Sequence, residues 1–285
     1  MKEYIKLMRP KHYIKNLLIF IPLIFSSNLF NLSILKNNIL GFVCFSLLAS
    51  IVYIINDIND CESDKKHPIK KNRPIAAGKV SKTQAVILAI FLILIIVLIY
   101  LLGRINIISS ILLVLYLLLN ILYSLGLKNI PILDVLILVS GFVIRVIYGS
   151  LITNVITSNW LYLTIISFSF YLGFGKRRNE ILKNKSNSRK VLMYYNKDFL
   201  DKVMYMFLGL FIAFYSLWSI SVSSPYMIYT IFWVITISLK YSLDIEGESF
   251  GDPVDVLTND KTLIVLCGLY GLTIFALLYI LWLTV

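Results

Sequence analysis

Nine stretches of this chain are apolar for long enough to cross a lipid bilayer as helices, and that removes most folds from consideration. They lie near residues 17–35, 39–56, 84–103, 106–123, 131–150, 159–175, 204–222, 226–243 and 262–284. A hydrocarbon core of ~30 Å demands roughly 20 apolar residues per helix, and backbone inside it must satisfy its polar groups internally. The sequence therefore predicts an all-α, polytopic bundle of nine transmembrane helices, a single integral membrane domain over residues 1–285. Composition agrees, with 59% hydrophobic and 15% charged residues and a mean hydropathy of +0.83. The first stretch is the most interrupted, by Pro22 and by Ser26, Ser27 and Asn28. A basic start before an apolar run also fits a secretory leader, but no small-residue cleavage site follows it.

Charge gives the orientation. If the N-terminus is cytoplasmic, 24 of the 27 Lys and Arg residues fall in cytoplasmic segments, leaving Lys36 and Arg104 outside and Arg145 inside a span. That asymmetry is the positive-inside pattern. All 15 acids lie on or near the same side. The formal charge of +12 thus reads as topology beside anionic lipid headgroups, and no nucleic-acid partner is expected. Cys44, Cys61 and Cys267 lie far apart and, with His12 and His67, show no zinc spacing. Oligomeric state is left open, self-association included.

Against this background the stretch NDINDCESD, residues 56–64, stands out. Asp57, Asp60 and Asp64 follow the second span at i, i+3 and i+7, within roughly 60° of arc if the helix continues. Carboxylates so placed repel one another unless a cation sits among them, and Mg²⁺ binds through one or two carboxylates together with substrate phosphates. Asn56 adds an amide oxygen or an N–H donor at the same mouth. The plainer alternative is a solvated acidic helix end balanced by KKHPIKKNRP. A second acidic loop, 240–261, carries Asp244, Glu246, Glu248, Asp252, Asp255 and Asp260. Two acidic loops on one side of a basic protein point to one shared cation and phosphate site.

The counter-charges lie in RPKHYIKN, with Arg9, Lys11 and Lys15, and in GKRRNE, with Lys176, Arg177 and Arg178. Most read as snorkelling topology residues; Lys15, Lys176 and Arg177 are singled out as phosphate ligands, partly on the resemblance described below. In the fifth span Asp134 and Arg145 stand about 16 Å apart along a helix and within about 20° of one face. Arg145 is therefore expected to point into the bundle, either as a structural clamp or as an anion ligand. Gly141 and Gly149 mark close helix packing.

The motif Asn56, Asp57, Asp60, Asp64 resembles the NDxxDxxxD signature of the UbiA-type superfamily of intramembrane prenyltransferases. Further segments, RPKHYIKN, the block Asn56 to Gly78, YSLGLK, GKRRNEI, KYSLDIEG and DPVDVLTND, are similar to its decaprenyl-phosphate phosphoribosyltransferase branch. Val254 and Asn259 depart from that branch's pattern. The resemblance implies Mg²⁺ held by Asp57, Asp60 and Asp64, with Asp57, Asp60, Lys176 and Arg177 in the catalytic set. It implies substrate contacts from Lys15, Asn16, Asn56, Arg73, Tyr123, Lys128, Arg145, Tyr195, Asp244 and Asp255. The implied reaction moves 5-phosphoribosyl from phosphoribosyl diphosphate to a polyprenyl phosphate at the cytoplasmic face of the plasma membrane, for cell-envelope polysaccharide synthesis. The rival within the superfamily is prenyl transfer from a prenyl diphosphate to an aromatic or other acceptor. A transporter is the rival from another class, and charge at the bilayer midplane would favour it.

Overall fold

The computed structural model describes residues 1–66, 68, 70–183, 190–222, 224–247 and 253–280. Among these the regular elements are all helical, with no strand. The chain divides into two compact units, Met1–Leu127 with Ile144–Val155, and Lys128–Val143 with Ile156–Val285.

In the first unit a short helix α1, Lys2–Met8, ends at Arg9, whose backbone is left-handed (φ 54°, ψ 58°). Pro10–Phe20 then follows as 3₁₀ turns and α2 covers Ile21–Phe25. The expected first span is thus broken into short pieces, because Pro22 removes a backbone donor and Ser27 takes a positive φ of 59°. Helix α3, Leu32–Asn59, starts where the Asn31 side chain accepts from the Ser33 and Ile34 N–H groups, satisfying two otherwise orphaned donors. The six-residue α4, Cys61–Lys66, follows it. Helix α5, Lys82–Gly103, opens on a capping box between Ser81 and Gln84 and stops at left-handed Arg104. Helix α6 is Ile108–Leu125.

The core of this unit gathers Phe45, Ile51 and Ile54 of α3 with Leu92 and Ile96 of α5 and Tyr116 of α6. The outer faces of α5 and α6 present Phe91, Leu94, Leu98, Ile111 and Val114, as helices bathed in lipid should. Helix α7, Leu133–Thr153, contributes its second half here. A Cβ on Gly149 would fall 2.1 Å from the Ile19 carbonyl oxygen, and one on Gly41 would fall 2.3 Å from Ile152 Cδ1. Only glycine permits those approaches.

The second unit holds the first half of α7, then α8, Asn159–Lys183, and α9, Lys197–Ser221, capped by Asn196. Helices α8 and α9 pack through stacked Phe170 and Phe207, with ring centroids 4.5 Å apart. Helices α10, Ile231–Glu246, α11, Pro253–Asn259, and α12, Lys261–Phe275, complete it. Seven segments are long and apolar enough to cross a membrane: Leu32–Asn59, Lys82–Gly103, Ile108–Leu125, Leu133–Thr153, Lys197–Ser221, Pro225–Glu246 and Lys261–Ile280. Of the nine expected, the interrupted first stretch and α8, which carries Lys176, Arg177 and Arg178 before its end, are not among the seven.

Candidate active site

The acidic stripe forms at the end of α3, and it is not carried by one unbroken helix. Asp60 sits at φ −87°, ψ 3°, which ends α3 and starts α4. The turn-to-turn hydrogen bonding nevertheless runs through, with the Asp60 N–H on the Asn56 carbonyl at 2.9 Å and the Asp64 N–H on the Asp60 carbonyl at 2.8 Å. Asp57 and Asp64 therefore stay on one side, and Arg73 bridges them. Its Nη1 lies 3.1 Å from Asp57 Oδ1 and 2.6 Å from Asp64 Oδ2.

Arg9 is the second cation of this cluster. Its Nη2 lies 2.5 Å from the same Asp57 Oδ1, and its guanidinium carbon sits 4.7 Å from the Tyr53 ring centroid, within cation–π range. The left-handed backbone at Arg9 separates α1 from the 3₁₀ segment. By position alone Arg9 reads as a topology residue; in the structure its side chain pairs with Asp57. The available signal was its place at the head of RPKHYIKN.

Asp57 is only 2% exposed, and its two oxygens differ. Oδ1 takes both arginines, whereas Oδ2 is buried without a hydrogen-bond partner. Burying an unpaired carboxylate oxygen is costly, so this atom is the observation against which a metal can be tested. A hard oxygen, with Asp64 beside it and Asp60 half-buried in the same turn, suits Mg²⁺ completed by substrate phosphates. Among the described residues no three His, Cys, Asp or Glu side chains form a metal cage by themselves. The residues fit a metal that arrives with its phosphate ligand.

Asn56, one residue before, is fixed from α6: the Ser124 hydroxyl donates to Asn56 Oδ1. Arg145 lies deeper. It is 7% exposed, its Nε donates to Asn16 Oδ1 at 2.7 Å and its Nη2 to the Tyr116 hydroxyl at 3.1 Å. The Phe45 and Tyr116 rings lie 4.9 and 5.0 Å from its guanidinium carbon. Asn16 also donates to Ser46 Oγ at 3.0 Å, so the side chain expected on substrate is tied to both Ser46 and Arg145. Lys15 and Tyr123 are half-buried.

In the second unit Arg177 is fully buried, with Nε on Asp134 Oδ2 at 2.5 Å and Nη1 on Glu180 at 2.9 Å. Tyr195 donates to the other Asp134 oxygen at 2.7 Å and accepts the Ile132 N–H at 2.6 Å. Ile132 is strained at φ 69°, an uncommon place for a β-branched residue. Burial first, and then the bond to Asp134, pushes the Tyr195 phenol up to about 12. Lys176 and Lys128 are half-buried.

In the last acidic loop Lys240 bonds Asp244 and, at 2.7 Å, Asp260, which also caps α12 through the Leu263 N–H. Asp255 is half-buried on α11. His67, Glu248, Asp252 and the Val254 side chain lie outside the described residues.

A family model described as the UbiA prenyltransferase family matches residues 19–248. The chain belongs to this family. Relatives named decaprenyl-phosphate phosphoribosyltransferase include the following two. One, from Corynebacterium glutamicum, is 30% identical over 97% of this chain and 86% of its own. The other, from Mycolicibacterium smegmatis, is 31% identical over 96% and 92%. A solved UbiA homologue from Archaeoglobus fulgidus, bound to GPP and Mg²⁺, superposes with a TM-score of 0.75 at 17% identity, covering 98% of this chain and 100% of that one.

For a UbiA chain the acidic stripe after α3 is the expected feature. What the sequence did not show is how it is neutralised. Arg9 and Asp57 are 48 residues apart, and Asp134 and Arg177 are 43 apart. Asp134, which shares a helix face with Arg145 about 16 Å away, spends its oxygens on Arg177 and Tyr195.

Proposed function

We propose that this UbiA-family protein transfers the 5-phosphoribosyl group of phosphoribosyl diphosphate to a polyprenyl phosphate of the decaprenyl class, depends on Mg²⁺, and releases diphosphate. The product is polyprenyl-phosphoryl-5-phosphoribose, for cell-envelope polysaccharide. The reading includes one catalytic domain over residues 1–285, nine spans, and a site on the cytoplasmic face of the plasma membrane, supported by the placement of 24 of 27 cations. Support for the substrates comes from the relatives' name over nearly the whole chain. The observation that carries the chemistry is Asp57, with one oxygen shared by two guanidiniums and the other buried and unspent.

The lipid phosphate is already an anion, so no general base is required. Its oxygen forms a bond to the anomeric carbon as that carbon's bond to the diphosphate breaks, and the diphosphate departs with the electron pair. The protein's task is then to position both groups and to offset charge on the leaving diphosphate. Mg²⁺, held by Asp57 with Asp60 and Asp64, would supply part of that charge. Arg9 and Arg73 offer planar N–H pairs suited to phosphate oxygens. Lys15, Lys128 and Lys176 offer point charges, and Tyr123 a hydroxyl. Arg177, and Arg145 with Asn16, are engaged within the protein, each inside its own unit, and their proposed part is to support the site from there. Tyr195 joins them through Asp134, and Asp244 and Asp255 belong to the α10–α12 connection.

The deciding experiment incubates purified protein with ribosyl-labelled phosphoribosyl diphosphate and polyprenyl phosphate, with and without EDTA. Mass spectrometry should show the phosphoribosylated lipid only when Mg²⁺ is present. A product formed only from prenyl diphosphate and an aromatic acceptor would replace this reading with prenyl transfer.

A further inference from the structure

The Asn56 amide can present either its oxygen, a metal ligand, or its N–H₂ group, an anion donor, and the two roles require opposite orientations. The structure fixes the orientation from a neighbouring helix. Ser124, in the last turn of α6, donates its hydroxyl to Asn56 Oδ1. The Nδ2 end makes no hydrogen bond with protein among the described residues, so both its N–H bonds remain to be used. The next residue along the backbone, Asp57, keeps its buried Oδ2 unspent. Two consecutive residues thus hold an unspent pair of donors and an unspent anionic oxygen, a combination matched by a metal diphosphate: the cation for Asp57, phosphate oxygen for Asn56.

We propose that Ser124 is a positioning residue for the donor's diphosphate: its hydroxyl anchors the Asn56 amide at Oδ1, so that the N–H₂ end is held ready to donate to a phosphate oxygen. Without that hydroxyl the amide loses this anchor and turns more freely about its last bond, whose two flipped states differ little in intrinsic energy. The N–H donors are then no longer pre-set for the phosphate, and binding must bear the cost of ordering them. This rests on the diphosphate-binding reading above but not on which group the diphosphate carries.

The test uses the full-length protein in detergent and two probes, phosphoribosyl diphosphate and inorganic diphosphate, with Mn²⁺ affinity measured separately by electron paramagnetic resonance. Ser124→Ala should weaken binding of both probes about tenfold, the worth of one hydrogen bond to a charged group. It should raise the donor KM by a similar factor while kcat falls less, and leave Mn²⁺ affinity without diphosphate unchanged. Ser124→Thr, which keeps the hydroxyl, should restore probe affinity. Asn56→Asp should abolish probe binding yet retain or tighten Mn²⁺ binding.

A Ser124→Ala protein that binds diphosphate like wild type overturns the proposal, as does an Asn56→Asp protein that still binds diphosphate. Equal loss of Mn²⁺ and diphosphate affinity in Ser124→Ala would make the serine a support for the metal site instead. If wild type binds inorganic diphosphate but not phosphoribosyl diphosphate, the phosphoribosyl reading fails while the Ser124 effect on inorganic diphosphate still decides this one. Wild type that binds neither overturns both. Melting temperatures measured alongside separate loss of fold from loss of orientation, since a purely structural serine would lower stability without changing probe affinity.

Discussion

The two charge clusters of this protein contain the same kinds of side chain and are built to opposite ends. In the second unit Asp134, Arg177, Glu180 and Tyr195 form a closed set: both Asp134 oxygens are taken, and Asp134 and Arg177 are wholly buried. In the first unit Asp57 concentrates two arginines on one oxygen and leaves the other bare, while Arg9 and Arg73 keep 22% and 25% of their side chains exposed. A buried cluster whose central carboxylate has both oxygens taken holds helices together. A cluster that leaves one carboxylate oxygen bare and its cations part-exposed can still exchange partners with a ligand, and that difference separates a structural ion pair from a binding site more reliably than residue type does.

The largest effect should come from the bare oxygen. Asp57→Asn keeps the size but removes the charge that a hard cation needs, so phosphoribosyl transfer should fall by about a hundredfold or more, the order expected when a charge-stabilising group is lost. Mn²⁺ binding should fall with it while the melting temperature holds. Near wild-type turnover would place the metal elsewhere.

Next comes the closed cluster. Arg177→Met leaves a buried carboxylate without its partner, at a cost of about 3–5 kcal/mol, so thermal unfolding should shift strongly downward. If instead stability holds and only phosphate affinity drops, the contrast collapses and Arg177 returns to the substrate set.

Arg9→Gln is expected to be milder. It should weaken diphosphate binding by roughly tenfold, as for one charged hydrogen bond, with little change in stability because Arg73 still neutralises Asp57. No change in affinity would reduce Arg9 to a packing residue over Tyr53.

The smallest effect concerns pH. The Tyr195 phenol is raised from 10.0 to about 12, so the folded state holds its proton more tightly than the unfolded chain does. That contribution is fully present below pH 10 and is lost as pH rises toward about 12. Alkaline melts of Tyr195→Phe should therefore be flatter than wild type across this window. Parallel curves would mean that the phenol's environment is more open than its two hydrogen bonds imply.

Much of the molecule was legible in the sequence because hydropathy and local spacing are sums over neighbouring residues. The apolar runs located the seven long spans, since a helix in lipid must be apolar along its own length. The motif Asn56, Asp57, Asp60, Asp64 carries the family resemblance and marks the acidic mouth, and Gly149 marks a close approach whose partner, Ile19, comes only from the fold. The first apolar stretch forms short helical pieces because Pro22 and the polar Ser26, Ser27 and Asn28 interrupt it locally, a break that hydropathy averaged over the run does not locate.

Only tertiary structure decided the partners. Whether a cation is a topology residue or a ligand depends on which carboxylate meets it across 43 or 48 residues, and nothing within a single segment encodes that distance. Arg9 and Arg177 look alike in sequence, each in a basic stretch beside an apolar run; one meets a half-satisfied carboxylate at an open mouth and the other a fully satisfied one in a dry core. The sequence supplied the charges, and the packing of the helices determined which of them could still bind something else.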